Sequence, residues 1–317
     1  MSVYTALTTQ NFEAILADYN LGKLKSFSGI AEGIENSNFF INMQDGQRYV
    51  LTVFERLDAT ELPYFMRLMK HLAAHGLQSP DVMTRKDDSL TFEWKAEDGI
   101  KQGCIVSCLS GETLEHLNLA QLESSGEALA TLHTAGSSFD EHRDNPSGFA
   151  WLEDTIANMQ ADVAKTYGQD ALSLLNDELI YQKRQPLTDL PRGLIHGDLF
   201  VDNILFEGND VSGVIDFYYA HDSSYIMDIA IAINAQVIVF GDDESRMTAF
   251  LAGYESKRAL LQAEKDGLNR SLRLAALRFW VSRLHDALYP RGGVMTQTKD
   301  PEEYRRKLLL HARSQAQ

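Results

Sequence analysis

The sequence is most informative at His196-Gly197-Asp198-Leu199-Phe200-Val201-Asp202-Asn203 and, further along, at Val214-Ile215-Asp216-Phe217. Kinase-type phosphoryl transfer needs one carboxylate that faces the acceptor hydroxyl, and an amide oxygen with a second carboxylate to hold the magnesium ions on ATP. Asp198 has the position for the first role, and Asn203 and Asp216 have the positions for the second. A lone His-Gly-Asp triplet could be an ordinary polar turn, but the full set at these offsets predicts an ATP- and Mg²⁺-dependent kinase.

The segment between Asn203 and Asp216 predicts how the two metal ligands meet. Residues 204–206 and 211–215 are apolar for the most part and flank the polar turn at 207–210, which is typical of a β-hairpin. A hairpin brings its two ends together. Asn203 and Asp216 should therefore lie side by side, as ligands of a hard cation must.

Two positions in this block differ from the protein-kinase motifs, because Gly197 replaces the arginine of His-Arg-Asp and Tyr218 replaces the glycine of Asp-Phe-Gly. The pattern His-Gly-Asp-Leu-Phe-x-Asp-Asn-x-Leu-Phe followed by Ile-Asp-Phe resembles the aminoglycoside phosphotransferase and choline kinase superfamily. Further segments resemble the homoserine kinase branch of that superfamily and follow its order over nearly the whole chain. These segments are residues 29–40, 49–52, 228–234 and 277–284.

The resemblance implies an α+β, protein-kinase-like two-lobed fold. Residues 1–109 would form a strand-rich ATP-binding lobe that ends in the hinge, and residues 110–317 a mainly helical lobe with the catalytic loop and the acceptor site. The implied reaction is the ATP-dependent phosphorylation of the side-chain hydroxyl of L-homoserine to O-phospho-L-homoserine, on the route to threonine. The alternatives are a kinase for another hydroxylated amine, choline, an aminoglycoside or a sugar, and a catalytically silent nucleotide-binding module.

Composition and charge restrict the partners. The formal net charge is −16 and the sequence pI is about 4.9, so the surface should repel nucleic acid and anionic membranes. The first residues lack the pattern of a secretory signal, and the apolar stretch 226–240 is interrupted by polar residues, so we expect a cytoplasmic protein. The oligomeric state stays open.

The cysteines and paired histidines favour structural roles. Cys104 and Cys108 lie in an apolar run and should be buried thiols, since two cysteines cannot form a structural zinc site. His71 and His75 have a chelating spacing on a predicted helix but no third ligand nearby, which favours solvated side chains. His133 should be a packed histidine near a helix end.

The N-terminal region predicts a phosphate-binding turn. Residues 23–30, 39–43 and 48–54 have the pattern of strands, after a short helix at 12–19. Gly29 and Gly33 flank the first turn, where Gly33 would let the backbone approach the phosphates. The side chains that could donate hydrogen bonds there are Asn36, Ser37 and Asn38.

One departure from the kinase pattern concerns the third strand. That strand usually supplies a lysine to the α- and β-phosphates, but Thr52 occupies the matching position. The resembled homoserine kinase branch tends to lack this lysine too. The cation that binds the phosphates is thus unidentified, with Arg48 and Arg56 nearest in sequence and each more typical of an exposed strand end. Glu61 opens the next helix, at 61–75.

The strand at 105–109 occupies the position of a kinase hinge, whose backbone binds the adenine edge. Val106 and Cys108 are the candidate residues there. Leucines at helical spacing follow, both before His133 and again along 271–289, and predict a helix-rich second lobe.

The acceptor site is predicted from the needs of the ligand. Choline would require an aromatic cage and an aminoglycoside many carboxylates, whereas an amino acid needs an arginine for its carboxylate and an acid or carbonyl oxygens for its ammonium. Helix 271–289 offers such arginines, although a salt bridge would explain each of them equally well. The candidate substrate-binding residues are Arg278, Arg283, Trp280, Asp202 and His221.

Overall fold

The structure is a computed structural model that describes residues 7–30, 36–55, 57, 59–96, 99–184, 187–238, 244–290 and 299–314. The chain divides into two compact units. The first unit comprises Met1–Gly111 with Ser212–Ile215, and the second comprises Glu112–Val211 with Asp216–Gln317. No helix among the described residues is long and apolar enough to cross a bilayer.

The first unit is built on a five-stranded antiparallel sheet in the order β1-β2-β3-β5-β4. The elements in chain order are α1 (Thr9–Leu16), β1 (Leu24–Gly29), β2 (Asn36–Met43), β3 (Arg48–Phe54), α2 (Leu62–Ala74), β4 (Phe92–Ala96) and β5 (Gly99–Ser107). Strand β3 has the predicted bounds, whereas β2 begins earlier than predicted. Helix α1 begins before the predicted start because Thr8 and Asn11 form a capping box.

One face of this sheet holds the core of the first unit. Alternate residues of β2 are buried, which is the two-residue period of a strand with one covered face. Phe39 and Ile41 of β2 pack under α1, where the Phe12 ring lies 5.3 Å from the Phe39 ring in an edge-to-face arrangement. The opposite face carries the other set of side chains, including Asn38 and Thr52.

Helices dominate the rest of the chain. Besides 3₁₀ turns at Val201–Asn203 and Phe217–Tyr219, the remaining elements of the described residues are α3 (Leu119–Gly136), α4 (Phe149–Tyr167), α5 (Gln169–Arg184), β6 (Arg192–Ile195), β7 (Ile204–Glu207), β8 (Asp210–Val214), β9 (His221–Ser224), α6 (Tyr225–Ala232), a π-helical turn (Ile233–Val237), α7 (Glu244–Glu255), α8 (Gln262–Leu288) and α9 (Pro301–Ser314). Strand β6 pairs with β9, and β7 pairs with β8. The predicted hairpin is therefore present.

Helices α3 and α7 pack with their backbones unusually close. A Cβ atom added at Gly253 of α7 would overlap the carbonyl oxygen of Glu123, and one added at Gly126 of α3 would overlap that of Phe250. Only glycine fits at either position. This contact holds α3, whose last turn contains His133, against α7 within the second unit.

Candidate active site

The loop after β6 carries the His-Gly-Asp motif, and a buried carboxylate holds its start. Asp228 of α6 accepts hydrogen bonds from the backbone N–H of His196 at 2.7 Å and of Gly197 at 2.9 Å. Asp228 is fully buried, so its charge requires such donors. This role was not predicted from sequence, where Asp228 is one of the polar residues that interrupt the apolar stretch 226–240.

A second chain of hydrogen bonds fixes Asp228 itself. His133 Nε2 lies 3.1 Å from Asp228 Oδ2, and His133 Nδ1 lies 2.7 Å from the Tyr254 hydroxyl. A carboxylate only accepts, so Nε2 donates and Nδ1 accepts from Tyr254. Burial lowers the pKa of His133, which keeps the ring neutral. Burial alone would raise the pKa of Asp228, but the His133 hydrogen bond and the Gly197 N–H outweigh it and lower that pKa. The packed position predicted for His133 is confirmed.

The carbonyl groups of the same loop are held from three directions. Arg278 Nη1 donates to the Gly197 oxygen at 2.8 Å, Asn203 Nδ2 to the Asp198 oxygen at 2.8 Å, and Gln236 Nε2 to the Leu199 oxygen at 2.8 Å. With the N–H bonds to Asp228, each peptide around the aspartate is fixed. Such restraint orients a reacting carboxylate before substrate arrives.

Gly197 is required by the shape of this loop. Its φ of 76° is in the left-handed region, and an added Cβ would come within 2.9 Å of the Tyr219 carbonyl oxygen. This explains why glycine stands where protein kinases have arginine.

Asn203 lies directly before β7 and beside Asp198. Its Nδ2 also approaches Asp198 Oδ2 at 3.4 Å, and its backbone N–H donates to the Phe200 oxygen at 3.0 Å. Among the residues that the structure describes, none donates a hydrogen bond to Asn203 Oδ1. An amide oxygen presented in this way suits a hard cation.

Asp216 follows β8 and has a strained backbone, with φ 66° and ψ 61°. Aspartate tolerates the left-handed region better than most residues, yet such strain persists only where surrounding structure enforces it, often at functional sites. The next residue, Phe217, is fully buried and its ring lies 5.0 Å from that of His196. Because β7 and β8 pair, Asn203 and Asp216 flank the same end of the hairpin.

The two candidate arginines of α8 have different surroundings. Arg283 forms an ion pair with Glu303 at 2.6 Å and donates to the Asp300 oxygen at 3.0 Å, so its charge is already matched. Arg278 is only 6% exposed and, within the described ranges, has no carboxylate partner. Trp280 is fully buried in the core and has no exposed surface. Arg278 is therefore the stronger candidate for an acceptor carboxylate.

The remaining acceptor candidates, Asp202 and His221, both have partners within the protein. Asp202 forms an ion pair with Lys299 at 3.2 Å, in which both side chains are more than half exposed. His221 is buried, and its Nδ1 donates to the Tyr219 oxygen at 2.7 Å. Burial lowers the pKa of His221, so the ring is a neutral group there.

The candidate phosphate-binding side chains of β2 point in two directions. Asn38 shares a face with Thr52, whose hydroxyl donates to Asn38 Oδ1 at 2.8 Å. Ser37 points to the opposite face, where its hydroxyl donates to Glu55 Oε1 at 2.5 Å and Glu55 pairs with Lys101 at 2.6 Å. Strand alternation thus separates Ser37 from its neighbours Asn36 and Asn38. Gly29 ends β1, and Gly33 lies outside the described residues, as does Arg56.

The residues at the predicted hinge lie at the end of β5. Val106 is opposite Val50 of β3, and the Cys108 N–H lies 3.4 Å from the Arg48 oxygen. Cys104 is buried as predicted, and burial raises its pKa to about 12. The prediction for Cys108 was wrong, because this side chain lies past the strand end and is only half-buried.

The metal-binding potential of the described residues is limited. They contain no group of three or more His, Cys, Asp or Glu side chains that could hold a metal ion. The rings of His71 and His75 stack at 4.0 Å, and His75 Nδ1 donates to the His71 oxygen at 2.7 Å. A kinase-type metal site needs only an amide and a carboxylate from the protein, because the phosphates supply further oxygen ligands.

The chain is similar to known phosphotransferases. The model of the phosphotransferase enzyme family matches residues 26–265. The homoserine kinase of Neisseria meningitidis serogroup B is 39% identical over 311 residues, covering 98% of this chain and 99% of that protein. The homoserine kinase of Methylobacillus flagellatus is 39% identical over 315 residues, covering 98% of this chain and 95% of that protein.

Solved structures show the same fold. The amicoumacin kinase hAmiN, in complex with AMP-PNP, Ca²⁺ and Ami, matches with a TM-score of 0.72 at 17% identity, covering 97% of this chain and 94% of that chain. Together with the family match, this likeness confirms the predicted α+β, protein-kinase-like fold.

Proposed function

The chain belongs to the phosphotransferase enzyme family, in the branch of the curated homoserine kinases, and from this we propose that it transfers the terminal phosphoryl group of ATP to the side-chain hydroxyl of L-homoserine. The product would be O-phospho-L-homoserine, an intermediate of threonine biosynthesis. The observation that carries the proposal is the loop of Asp198, whose neighbouring peptide groups are hydrogen-bonded to Asp228, Arg278, Asn203 and Gln236.

Asp198 is the residue that acts on the acceptor hydroxyl. Its carboxylate would accept the hydroxyl proton or align the oxygen for attack on the phosphorus atom. Because the backbone on both sides is fixed, little reorganisation is needed at the moment of transfer.

Asn203 and Asp216 are the residues that would hold magnesium on the ATP phosphates. Asn203 Nδ2 is committed to the Asp198 oxygen at 2.8 Å, which leaves the amide oxygen for a cation, and the Asp216 carboxylate suits the same hard ion. Bound magnesium would neutralise charge on the transferred phosphoryl group. The hAmiN structure contains AMP-PNP with Ca²⁺, which supports a divalent cation at such a site in that protein.

The nucleotide contacts are proposed for residues 1–109, and the catalytic and acceptor contacts for residues 110–317. Gly29, Asn36 and Asn38 are the candidates for the phosphates, and Val106 and Cys108 offer backbone groups for the adenine edge. Ser37 would contribute its backbone only, because its hydroxyl is bound to Glu55.

Arg278 is the proposed partner of the homoserine carboxylate. A buried guanidinium without a carboxylate partner in the described part of the chain is costly, and a carboxylate of the substrate would remove that cost. The hydrogen bond that Arg278 donates to the Gly197 oxygen places it next to the residue that acts on the hydroxyl.

The proposal is tested by coupled ADP release with magnesium-ATP across L-homoserine, choline, 3-amino-1-propanol and an aminoglycoside. We expect homoserine to give the highest kcat/KM by at least about 100-fold, because only homoserine offers both the carboxylate and the ammonium. Equal use of 3-amino-1-propanol, which lacks the carboxylate, would contradict the amino-acid acceptor and favour an amine kinase. No ADP release with any acceptor would favour the silent nucleotide-binding module.

A further inference from the structure

Tyr304 of α9 has a feature that the packing of the helix does not explain. The side chain is fully buried, and its hydroxyl has no hydrogen-bond partner among the described residues. A buried phenol usually finds a partner, since an unpaired buried hydroxyl destabilises the folded state. A phenylalanine would fill the same space without this cost.

The position of the ring connects it to the catalytic loop. Its centroid lies 5.3 Å from that of Phe279 and 6.3 Å from that of Phe200. Phe279 follows Arg278 in the chain, and Phe200 comes two residues after Asp198. After burial, Arg283 and Glu303, the charges of Asp198 and Arg278 also influence the pKa of the Tyr304 phenol, with Asp198 raising it and Arg278 lowering it.

The ring is held in place by groups that are themselves satisfied. The guanidinium of Arg283 lies 4.5 Å from the ring centroid and the ammonium of Lys307 lies 4.7 Å from it. Both cations form ion pairs with Glu303, at 2.6 Å each. Tyr304 therefore keeps one orientation, and neither cation is left to bind a substrate anion instead.

Burial raises the pKa of the Tyr304 phenol strongly, followed by smaller effects of the charges around it. The hydroxyl consequently keeps its proton at any working pH and can act as a donor. An acceptor group of a bound substrate would satisfy this donor.

We propose that Tyr304 is a specificity-determining residue whose hydroxyl donates a hydrogen bond to the carboxylate of the acceptor, beside the guanidinium of Arg278. This inference rests on the proposed function, since it assigns a further contact to the same amino-acid substrate. The charged guanidinium of Arg278 and the neutral hydroxyl of Tyr304 would then both bind the carboxylate, which is the group that distinguishes homoserine from an amino alcohol.

Tyr304→Phe tests the proposal, because it removes only the hydroxyl. The matched control is Tyr19→Phe in the first unit, where another buried hydroxyl has no partner in the described part of the chain. Both variants should melt at or above the wild-type temperature, since each loses an unsatisfied buried group. Only Tyr304→Phe should lower kcat/KM for homoserine, by about 10- to 100-fold and mainly through KM.

The second measurement uses 3-amino-1-propanol, which has no carboxylate for Tyr304 to bind. Wild type and Tyr304→Phe should use this amino alcohol equally poorly. If Tyr304→Phe keeps the melting temperature and the homoserine kcat/KM of wild type, the hydroxyl has no role in recognition and the proposal is overturned. An equal loss with both acceptors would overturn it as well, since the effect would then not involve the carboxylate.

These outcomes are distinct from failure of the proposed function. Absence of homoserine-dependent ADP release from the wild-type protein would overturn both proposals together. Full use of homoserine by wild type and by Tyr304→Phe alike would overturn the role of Tyr304 alone.

Discussion

At the scale of single residues, the carboxylate of Asp198 should matter most to the rate. Asp198→Asn keeps the side-chain size but loses proton acceptance, and the 2.8 Å bond from Asn203 to the Asp198 backbone oxygen does not depend on the carboxylate. We expect kcat to fall by about 10²- to 10⁴-fold with little change in ATP affinity, as measured by steady-state kinetics and ATP titration.

Asp210→Asn is the matched control for this prediction. Asp210 is exposed at the start of β8, so the variant removes the same charge from the hairpin that follows the loop and leaves the loop itself unchanged. Its kcat should equal that of wild type. Turnover of Asp198→Asn near the wild-type rate would remove Asp198 from the mechanism.

The residues of the motif could be predicted from sequence, but the residues that hold it could not. Asp198, Asn203 and Asp216 have the sequence spacing typical of kinase-type phosphoryl transfer. The hairpin pattern between Asn203 and Asp216 predicts that these two residues lie at the same end of the hairpin. Asp228 and Gln236 come from a distant helix, and only their hydrogen bonds to the loop show what they do. A polar residue in a buried apolar run can be expected to have a hydrogen-bond partner, but the sequence does not identify that partner.

At the scale of elements, the contact between α3 and α7 gives a stability prediction. Gly253→Ala places a methyl group on the Glu123 carbonyl oxygen, so the helices must separate. We expect a loss of roughly 2–4 kcal/mol in the free energy of unfolding, measured by chemical denaturation. Gly267→Ala in α8 is the control, because its methyl would meet the ends of two flexible side chains, those of Leu187 at 3.2 Å and Leu190 at 4.0 Å.

Alanine favours a helix over glycine, so Gly267→Ala should be neutral or stabilising by up to about 1 kcal/mol. Equal destabilisation by the two variants would show that the α3–α7 contact is not the cause.

The bounds of the elements were predictable where the local sequence pattern is strong. Strand β3 follows a hairpin turn and is rich in aromatic and β-branched residues, whereas α8 begins at Gln262, well before the predicted start at 271. The first turns of α8 lack an apolar period and are held by Glu264, which accepts from the Leu261 N–H at 3.0 Å and pairs with Arg258 at 3.0 Å. These capping and long-side-chain contacts leave little trace in the sequence pattern.

At the scale of the whole molecule, stability should fall in mild acid partly because of one histidine. His311 of α9 is buried and its Nε2 donates to Asn234 Oδ1 at 2.8 Å. Burial, followed by the positive charges of Lys307 and Arg273, lowers the pKa of His311 to about 4. His311 is therefore protonated near pH 6.5 in the unfolded state, but only at a lower pH in the folded state.

The sign follows from proton binding. Above about pH 6.5 the contribution of His311 to stability is complete, and it is lost as the pH falls toward about 4. Between about pH 7.5 and about pH 5 we expect wild type to lose roughly 2 kcal/mol from this group. His311→Gln keeps an N–H donor but does not titrate, so its unfolding free energy should fall less over the same range. Identical pH profiles for the two proteins would rule His311 out as the source.

The π-helical turn Ile233–Val237 contains one more residue than a regular helical turn would. The geometry of the loop around Asp198 therefore depends on the number of residues in this turn. Each residue of an α-helix advances about 100° around the axis, so deleting one residue here would restore regular winding and turn Gln236 away from both Leu199 and Ser125. Arg246, which donates to the carbonyl oxygens of Gln236 and Val237, would lose its partners as well. A one-residue deletion is often tolerated in a surface loop, but here we expect it to disturb the loop of Asp198, the proposed catalytic residue, although the deletion would lie more than thirty residues away in the chain.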